Sequence, residues 1–264
     1  MISLKIEMKI SIITINLNNA SGLEQTIQSV VLQSYQPIEY IVIDGNSTDG
    51  SKEVIEKYAA NINIVVSEKD NGVYNAMNKG IAKSTGEYLL FLNSGDTLMQ
   101  SNSLQQLVDG SNNADIVYGN IKMTEGNKSR EVIFPSKLSF KFFYINSLPH
   151  PCTLIRKPVF DTVGLYREDF KIVSDWAFFA LAICRYNSSY KHVNVTISNF
   201  MLGGLSSTQL DKIEEERKHV MDEYFPAFAV DYKELYEAEE ALYKARKKLG
   251  YRVHRKIDQL FFKK

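Results

Sequence analysis

Residues 86–98, with the sequence GEYLLFLNSGDTL, constrain the fold more than any other stretch of the chain. An apolar and aromatic run, residues 88–92, changes abruptly into a polar turn that ends at Asp96. Such a run between turn signals is typical of a strand buried on both faces, as in a parallel sheet covered by helices. Ligands bind beyond the carboxyl ends of such strands, so Asp96 is predicted to bind a divalent cation. The alternative is an Asx-type turn that only closes the strand.

The first half of the chain alternates strand and helix patterns, which is the arrangement of a parallel α/β sheet. Residues 9–16 have the pattern of a β-branched strand, the helix that follows is predicted to begin at Ser21 as its N-cap, and residues 38–44 are predicted to form the second strand. A later helix, SDWAFFALAICR, is predicted to be capped by Ser174. The chain should end in helices, the last of them interrupted at Gly250. The fold class is therefore α/β, with a Rossmann-like, mostly parallel central sheet flanked by helices and a C-terminal helical extension.

Charge divides the 264-residue chain unevenly, although its formal net charge is zero. From residue 241 onward there are nine Lys/Arg and one acid, whereas the first 240 residues hold 22 Lys/Arg and 30 Asp/Glu. We expect a domain at residues 1–208 and a basic helical extension at residues 209–264. The extension has the pattern of an amphipathic helix that lies on an anionic membrane, and packing on the body or on a second subunit is the alternative.

Targeting signals and cysteines point to the cytoplasm. No apolar run approaches the roughly 20 residues that span a bilayer, and the N-terminus lacks the pattern of a secretory signal. Cys152 and Cys184 are expected to be reduced and buried. The acidic body and the lack of a recognition module argue against nucleic-acid binding.

Three acids stand where buried patterns stop: Asp44 and Asp96 after strands, and Asp175 at the start of a helix. We expect them to share one cleft, in which Asp44 accepts a hydrogen bond from a base or sugar. The helix dipole favours the ionised form of Asp175, which could then act as a general base. Each acid could instead simply cap a turn or helix. No GxGxxG follows the first strand and no GxxxxGK[ST] occurs, which argues against dinucleotide oxidoreductases and phosphate-loop ATPases.

Several segments, taken in order, resemble the family 2 glycosyltransferases of the GT-A fold, especially bacterial enzymes that build surface polysaccharides. The segments are KISIITINLNNASGLEQTIQSVVLQSY, EYIVIDGNSTDGS, SEKDNGVYNAMNKGIAKSTGEYLLFLNSGDTL, HPCTLIRKPVFDTVGLYRED, SDWAFF and FMLGGLSS. Together they cover roughly residues 9–207. Several motifs in the right order are far more specific than any one of them alone.

The resemblance implies a role for each matching position. The positions that resemble donor-nucleotide contacts are Thr14, Asn16, Asp44, Asp70, Asn78, Asn93 and Ser94. Asp96 occupies the second acid of the family's Asp-x-Asp motif and would bind Mn²⁺ or Mg²⁺, with His150 as a second candidate. The first acid of that motif is replaced by Asn93, which implies weak metal affinity without donor.

Asp175 matches the family's catalytic base. Gly203, Gly204 and Ser206 resemble a mobile loop that closes over the donor phosphates. Trp176 could stack on an acceptor sugar, and a place in the core is the alternative for this single tryptophan.

The function expected from this resemblance is inverting, metal-assisted transfer of a sugar from a nucleotide-diphospho sugar, with a UDP-sugar favoured. The acceptor would be a hydroxyl of a growing, lipid-linked cell-surface glycan, in capsule, lipopolysaccharide or exopolysaccharide, at the inner face of the plasma membrane. Two alternatives stay open: a catalytically silent subunit that binds a sugar nucleotide or polysaccharide, and a sugar nucleotidyltransferase. A homo-oligomer is a further expectation.

Overall fold

The computed structural model describes residues 8–204 and 209–261, with side chains up to residue 247. Its strands are β1 Ile10–Asn16, β2 Ile38–Asp44, β3 Ile64–Ser67, β4 Tyr88–Phe91, β5 Thr97–Leu98, β6 Ile116–Glu125, β7 Lys128–Val132, β8 Thr153–Arg156 and β9 Tyr190–Met201. Its helices are α1 Ala20–Val31, α2 Ser51–Lys57, α3 Val73–Lys83, α4 Ser103–Gly110, α5 Phe140–Ile145, α6 Val159–Val163, α7 Ser174–Cys184, α8 Leu210–Tyr224 and α9 Pro226–Phe261. Short 3-10 turns lie at Ala59–Asn61 and His150–Cys152.

The strands form one sheet in the order β3-β2-β1-β4-β8-β6-β9-β5, with β7 paired to β6. β1 to β4 pair in parallel, and β6 pairs in parallel with β9. β8 runs antiparallel to β4 and β6, so six strands share one direction and β5, β7 and β8 oppose it. The sheet flanked by helices confirms the α/β fold class.

The central strands are buried because each is apolar on both faces. The four residues of β4 are fully buried, and nearly all of β1 and β2 is inaccessible to solvent. α3 packs so closely on β1 that a Cβ at Gly80 would lie 2.4 Å from Cγ2 of Ile13. Polar groups that follow these strands are therefore held against a rigid support.

Three local predictions about the helices are wrong. α1 begins after Asn19, whose side chain accepts a hydrogen bond from the backbone N–H of Gly22 at 3.0 Å, and Ser21 lies inside the helix. The N-cap of α7 is Val173 and Ser174 is its first helical residue. α9 continues through Gly250 without a break, since one glycine costs a helix only about 1 kcal/mol.

The chain divides into two compact units, Met1–Arg217 and Lys218–Lys264. Within the residues that the structure describes, no helix has both the length and the apolar composition needed to cross a membrane. The assignment of residues 209–264 to a membrane or oligomer contact stays a prediction.

Candidate active site

The carboxyl ends of β1, β2 and β3 place three polar residues side by side. Asn16 is paired in register with Asp44, and Asp44 with Ser67. The amide of Asn16 donates to Oδ1 of Asp44 at 2.8 Å, and the hydroxyl of Ser67 donates to Oδ2 at 2.8 Å. The backbone N–H of Ser47 completes the set at 3.0 Å. These hydrogen bonds outweigh burial, which acts in the opposite direction, and lower the pKa of Asp44.

Asp44 has no solvent-accessible surface. Three of the roughly four lone-pair positions of its carboxylate already accept hydrogen bonds from the protein. The carboxylate therefore holds together the carboxyl ends of β1, β2 and β3, which we call the rim of the sheet.

A second hydrogen-bond chain connects this rim to the turn after β4. The hydroxyl of Ser94 donates to Oδ1 of Asn16 at 2.8 Å. Gly95 adopts a positive φ of 106°, which lets the chain turn back so that Asp96 follows at once. Oδ2 of Asp96 accepts the backbone N–H of Asn93 at 3.2 Å. Asp44 and Asp96 therefore lie on one continuous polar edge.

Asp96 is only 3% exposed and lies in a different environment from Asp44. Burial raises the pKa of Asp96 to about 7, while the electrostatic effect of the nearby His150 and backbone hydrogen bonds from Met201 and Asn93 oppose that shift. A bound cation would favour the ionised carboxylate and lower the pKa again.

His150 lies in the 3-10 turn that leads into β8, at the carboxyl end of β4. Its Nδ1 lies 3.0 Å from Oδ2 of Asp175, at the start of α7. The hydroxyl of Tyr74, whose single proton faces two acceptors, lies 2.5 Å from the backbone oxygen of Ile172 and 3.0 Å from Oδ1 of Asp175. The backbone N–H of Trp176 donates to Oδ1 at 2.8 Å. His150 thus contacts Asp175 directly and acts electrostatically on Asp96. That the three acids share one cleft stays a prediction.

Asp175 is suited to accept a proton. Burial acts to raise its pKa, but the hydrogen bond and charge of His150, followed by the contacts from Trp176 and Tyr74, lower the pKa below the ordinary value. The carboxylate is therefore ionised at neutral pH. Its side chain is 18% exposed, and one lone-pair position on Oδ2 is left for a further donor.

The donor set around Asp96 fits a divalent cation that also binds phosphate. Oδ1 of Asn93 and Nε2 of His150 are buried and have no hydrogen-bond partner among the described residues. Ligating histidines commonly direct their other ring nitrogen to a carboxylate, which here is Asp175. No group of three or more His, Cys, Asp or Glu in the described part of the chain is arranged to hold a metal by itself. One carboxylate with neutral donors suits Mg²⁺ or Mn²⁺ whose shell phosphate and water complete.

The other predicted donor contacts lie in different surroundings. Thr14 is fully buried, with its hydroxyl 3.0 Å from that of Tyr40. Asn78 is held at both ends of its amide by Tyr166 and Glu168. Asp70 accepts from Lys79 at 2.7 Å and lies against the backbone of Gly45, next to the rim. Donor contact stays a prediction for all three, and the geometry favours it only for Asp70.

The residues predicted to form the loop over the donor and the tryptophan predicted to face the acceptor also differ. Gly203 and Gly204 are exposed and lie two and three residues after the end of β9, and Ser206 lies outside the described residues. The Trp176 ring is 2% exposed, and its indole N–H donates to the backbone oxygens of Phe143 and Asn146. The structure therefore favours the core position for Trp176.

Three residues around Asp175 were missed by the sequence reasoning. Tyr74 contacts the carboxylate directly, and Glu216 and Arg217 pack beside it from α8. A tyrosine in the first turn of a helix has no distinctive signal. The other two lie about forty residues beyond Asp175, so only the folded chain reveals them.

The model of the family described as "Glycosyl transferase family 2" matches residues 11–164, more than half of the chain. The chain belongs to glycosyl transferase family 2. A relative named "PGL/p-HBAD biosynthesis glycosyltransferase", from Mycobacterium bovis, is 30% identical over 210 residues, which cover 76% of this chain and 80% of the relative. The family assignment makes the chain a glycosyltransferase.

Two solved structures share the fold of this family 2 member. The crystal structure of S. aureus TarS 1-349 in complex with UDP-GlcNAc has a TM-score of 0.60 and 20% identity, over 76% of this chain and 61% of TarS 1-349. Mannosyltransferase PcManGT from Pyrobaculum calidifontis, in complex with GDP-Man and Mn²⁺, has a TM-score of 0.58 and 14% identity, over 77% and 59%. This chain spans less than two thirds of either crystallised chain.

Proposed function

We propose that this family 2 glycosyltransferase transfers a sugar from a UDP-sugar to an acceptor hydroxyl by single displacement with inversion. The observation that carries the proposal is the direct connection between Asp175 and His150, which adjoins Asp96. Through this contact, an ionised carboxylate that can accept a proton lies next to a set of oxygen and nitrogen atoms suited to bind a cation and a diphosphate.

The donor nucleotide would lie along the carboxyl edge of β1, β2 and β4. Asn16, Ser94 and Asp70 border this edge, and Asp44 fixes its shape through Asn16 and Ser47. Asn93 offers a free amide oxygen where the Asp-x-Asp motif has an acid. A uridine nucleotide is favoured because TarS was crystallised with UDP-GlcNAc.

Asp96 and His150 would hold the divalent cation. When bound, Mn²⁺ or Mg²⁺ supplies positive charge that stabilises the departing diphosphate. PcManGT, which shares the fold, was crystallised with Mn²⁺. The protein contributes the buried position of Asp96 and the orientation of His150, which Asp175 fixes through Nδ1.

Asp175 would act as the general base. Its Oδ2 accepts the proton of the acceptor hydroxyl while the hydroxyl oxygen forms a bond to the anomeric carbon and the bond to the diphosphate breaks. Tyr74, His150 and the backbone N–H of Trp176 hold the carboxylate in place during this step. One displacement on the face opposite the leaving group inverts the anomeric configuration.

The acceptor is proposed to be a lipid-linked cell-surface glycan at the inner face of the plasma membrane. The basic segment from residue 241, with nine Lys/Arg and one acid, would provide the attraction to anionic lipid. The mycobacterial relative carries a name from PGL/p-HBAD biosynthesis. Gly203, Gly204 and Ser206 would form the loop that excludes water from the donor.

A thermal-shift panel tests the donor assignment. UDP, GDP, CMP and dTDP are each added with and without Mn²⁺ or Mg²⁺, because a ligand that binds only the native state raises the melting temperature by mass action. We expect UDP to give the largest shift, and only with metal. Equal shifts for all four nucleotides, or none, would contradict the proposal.

A further inference from the structure

Two consecutive residues of α8, Glu216 and Arg217, contact the chain immediately before and after Asp175. They lie beyond residue 164, where the match to the family model ends. α8 therefore contributes to the surroundings of the proposed base although it follows the sheet in sequence.

Glu216 holds the segment that leads into α7. Its side chain is 4% exposed, and its two carboxylate oxygens accept the backbone N–H groups of Lys171, Ile172 and Val173 at 2.9, 3.0 and 3.2 Å. A helix N-terminus favours a negative charge at this position, and charge-assisted hydrogen bonds are the stronger kind. These contacts fix the backbone two residues before Asp175.

Arg217 covers the residue that follows Asp175. Its guanidinium carbon lies 4.7 Å from the centroid of the Trp176 ring, and Nη2 lies 3.5 Å from the backbone oxygen of Asn146. That oxygen also accepts the indole N–H of Trp176 at 3.1 Å. The guanidinium and the indole are therefore held at the same end of α5.

Burial of the Arg217 side chain in this position costs free energy of folding. Its Nε is buried without a hydrogen-bond partner among the described residues, which typically costs 1–3 kcal/mol. An uncharged side chain could fill the same space without that cost. The guanidinium stacks on Trp176 and its charge acts on Asp175, and both effects are lost in an apolar substitute.

We propose that Glu216 and Arg217 are positioning residues that hold Asp175 in its reactive place, an inference that rests on the proposed role of Asp175 as general base. Glu216 fixes the backbone before the base and Arg217 fixes the side chain after it. A displacement of about 1 Å at a reacting group costs roughly a hundredfold in rate, so small movements of this segment have large consequences.

Five variants test the inference: Glu216→Gln, Arg217→Met and the conservative Arg217→Lys, with Glu215→Gln and Lys218→Met as controls on the same helix. The control side chains are 71% and 75% exposed. Gln has one acceptor oxygen and would present N–H groups to a backbone donor. The readouts are kcat and KM for UDP release from UDP-GlcNAc, the Kd of UDP, the melting temperature, and acrylamide quenching of Trp176.

Quenching reports on the segment directly because Trp176 is the single tryptophan of the chain and is 2% exposed. We expect Glu216→Gln and Arg217→Met to lower kcat by about 10- to 100-fold, with the Kd of UDP and KM within about twofold. The quenching constant should rise about twofold or more as the packing over the indole loosens. Arg217→Lys should recover part of kcat, and the controls should match wild type.

Two results would overturn the inference. One is that Glu216→Gln and Arg217→Met have the same quenching constant and the same kcat as the control variants. The other is a loss of kcat that disappears after correction for the folded fraction, which would indicate a structural role alone. If wild-type protein neither binds UDP nor releases it from UDP-GlcNAc, the proposed function fails, and the comparison of quenching between Glu216→Gln and Glu215→Gln still decides whether Glu216 holds this segment.

Discussion

At the scale of single residues, two buried acids on one edge of the sheet differ because of their hydrogen-bond donors. Asp44 accepts from Asn16, Ser47 and Ser67, which lower its pKa despite its burial. Burial instead raises the pKa of Asp96 to about 7. The same residue type thus meets two environments: the carboxylate of Asp44 is held by three donors at the rim, and Asp96 is the carboxylate that we propose binds a cation.

Asp96→Asn is expected to remove the metal dependence of nucleotide binding. The amide keeps the size of the side chain but loses the negative charge that attracts the cation. The UDP-induced thermal shift with Mn²⁺ should fall to the shift without Mn²⁺, and the unliganded melting temperature should change by only a few degrees. Asp109→Asn, at an exposed position of α4, is the control. A full Mn²⁺-dependent shift in Asp96→Asn would exclude Asp96 as the ligand.

Motif resemblance located residues along the chain but not the direction of their side chains. Asn16 ends β1, and Ser94 and Asp96 lie in the turn after β4, whereas Thr14 lies within β1 with its hydroxyl 3.0 Å from that of Tyr40. Thr14 and Asn16 are two residues apart and share one face of the strand, so the distance from the strand end, rather than the face, separates core from rim. The contacts of Glu216 could not be read from the sequence, because they form only after α8 packs beside α7.

At the scale of elements, Glu39 ties the start of β2 to β1 and to the turn before β4. Its carboxylate accepts from Lys9 at 2.9 Å, from Ser11 at 2.5 Å, and from the N–H and hydroxyl of Thr85 at 2.7 and 2.6 Å. Burial opposes ionisation, but these bonds outweigh it and lower the pKa of Glu39 to about 2. Because the pKa is lower in the folded state, the stabilisation is present above about pH 4.5 and is lost as pH falls toward 2.

Glu39→Gln should therefore lower the free energy of unfolding at pH 7 by about 2 to 3 kcal/mol and reduce its decline between pH 5 and 3. Urea unfolding at several pH values measures both effects. Glu56→Gln, at an exposed position of α2, is the control and should follow wild type. If the free energy of unfolding of Glu39→Gln falls between pH 5 and 3 as much as that of wild type, Glu39 is not the source of this pH dependence.

Gly80→Ala is expected to destabilise the protein by about 1 to 2 kcal/mol, although alanine favours a helix by about 1 kcal/mol. The added methyl would lie 2.4 Å from Cγ2 of Ile13, which is fully buried, so α3 must move away from β1. In an Ile13→Ala background the methyl has space, and the same substitution should cost less or stabilise. Thermal unfolding measures the effect of Gly80→Ala on stability in the wild-type and in the Ile13→Ala background, and the difference is the coupling between the two positions. If the two effects are equal, the clash between residue 80 and Ile13 is ruled out.

Strand and helix patterns predicted the elements better than their ends. β2 lies where its pattern predicts, at 38–44. Helix starts depend on which of several neighbouring polar side chains reaches a free N–H, and Asn19 does so instead of Ser21. The two-residue strand β5 and the short helix α6 are set by tertiary contacts, because neither is long enough to show a period.

At the scale of the whole molecule, the candidate site depends on sequence positions far apart within the unit Met1–Arg217. The rim is supplied by β1 and β2, the proposed cation ligand by the turn after β4, and the proposed base by α7. The alternating pattern predicted the sheet edge where they meet. It did not predict how Tyr74 and α8 enclose the base, because helix packing brings them there.

Asp175→Asn tests the central claim most directly, with UDP affinity and UDP release from UDP-GlcNAc measured on the same preparations in the presence of Mn²⁺. Asp169→Asn, whose side chain in the preceding loop is 60% exposed, is the control. We predict unchanged UDP affinity and a fall in turnover of about 10²- to 10⁴-fold, because an amide cannot accept the acceptor's proton. Wild-type turnover by Asp175→Asn at unchanged UDP affinity would contradict the assignment of Asp175 as the base.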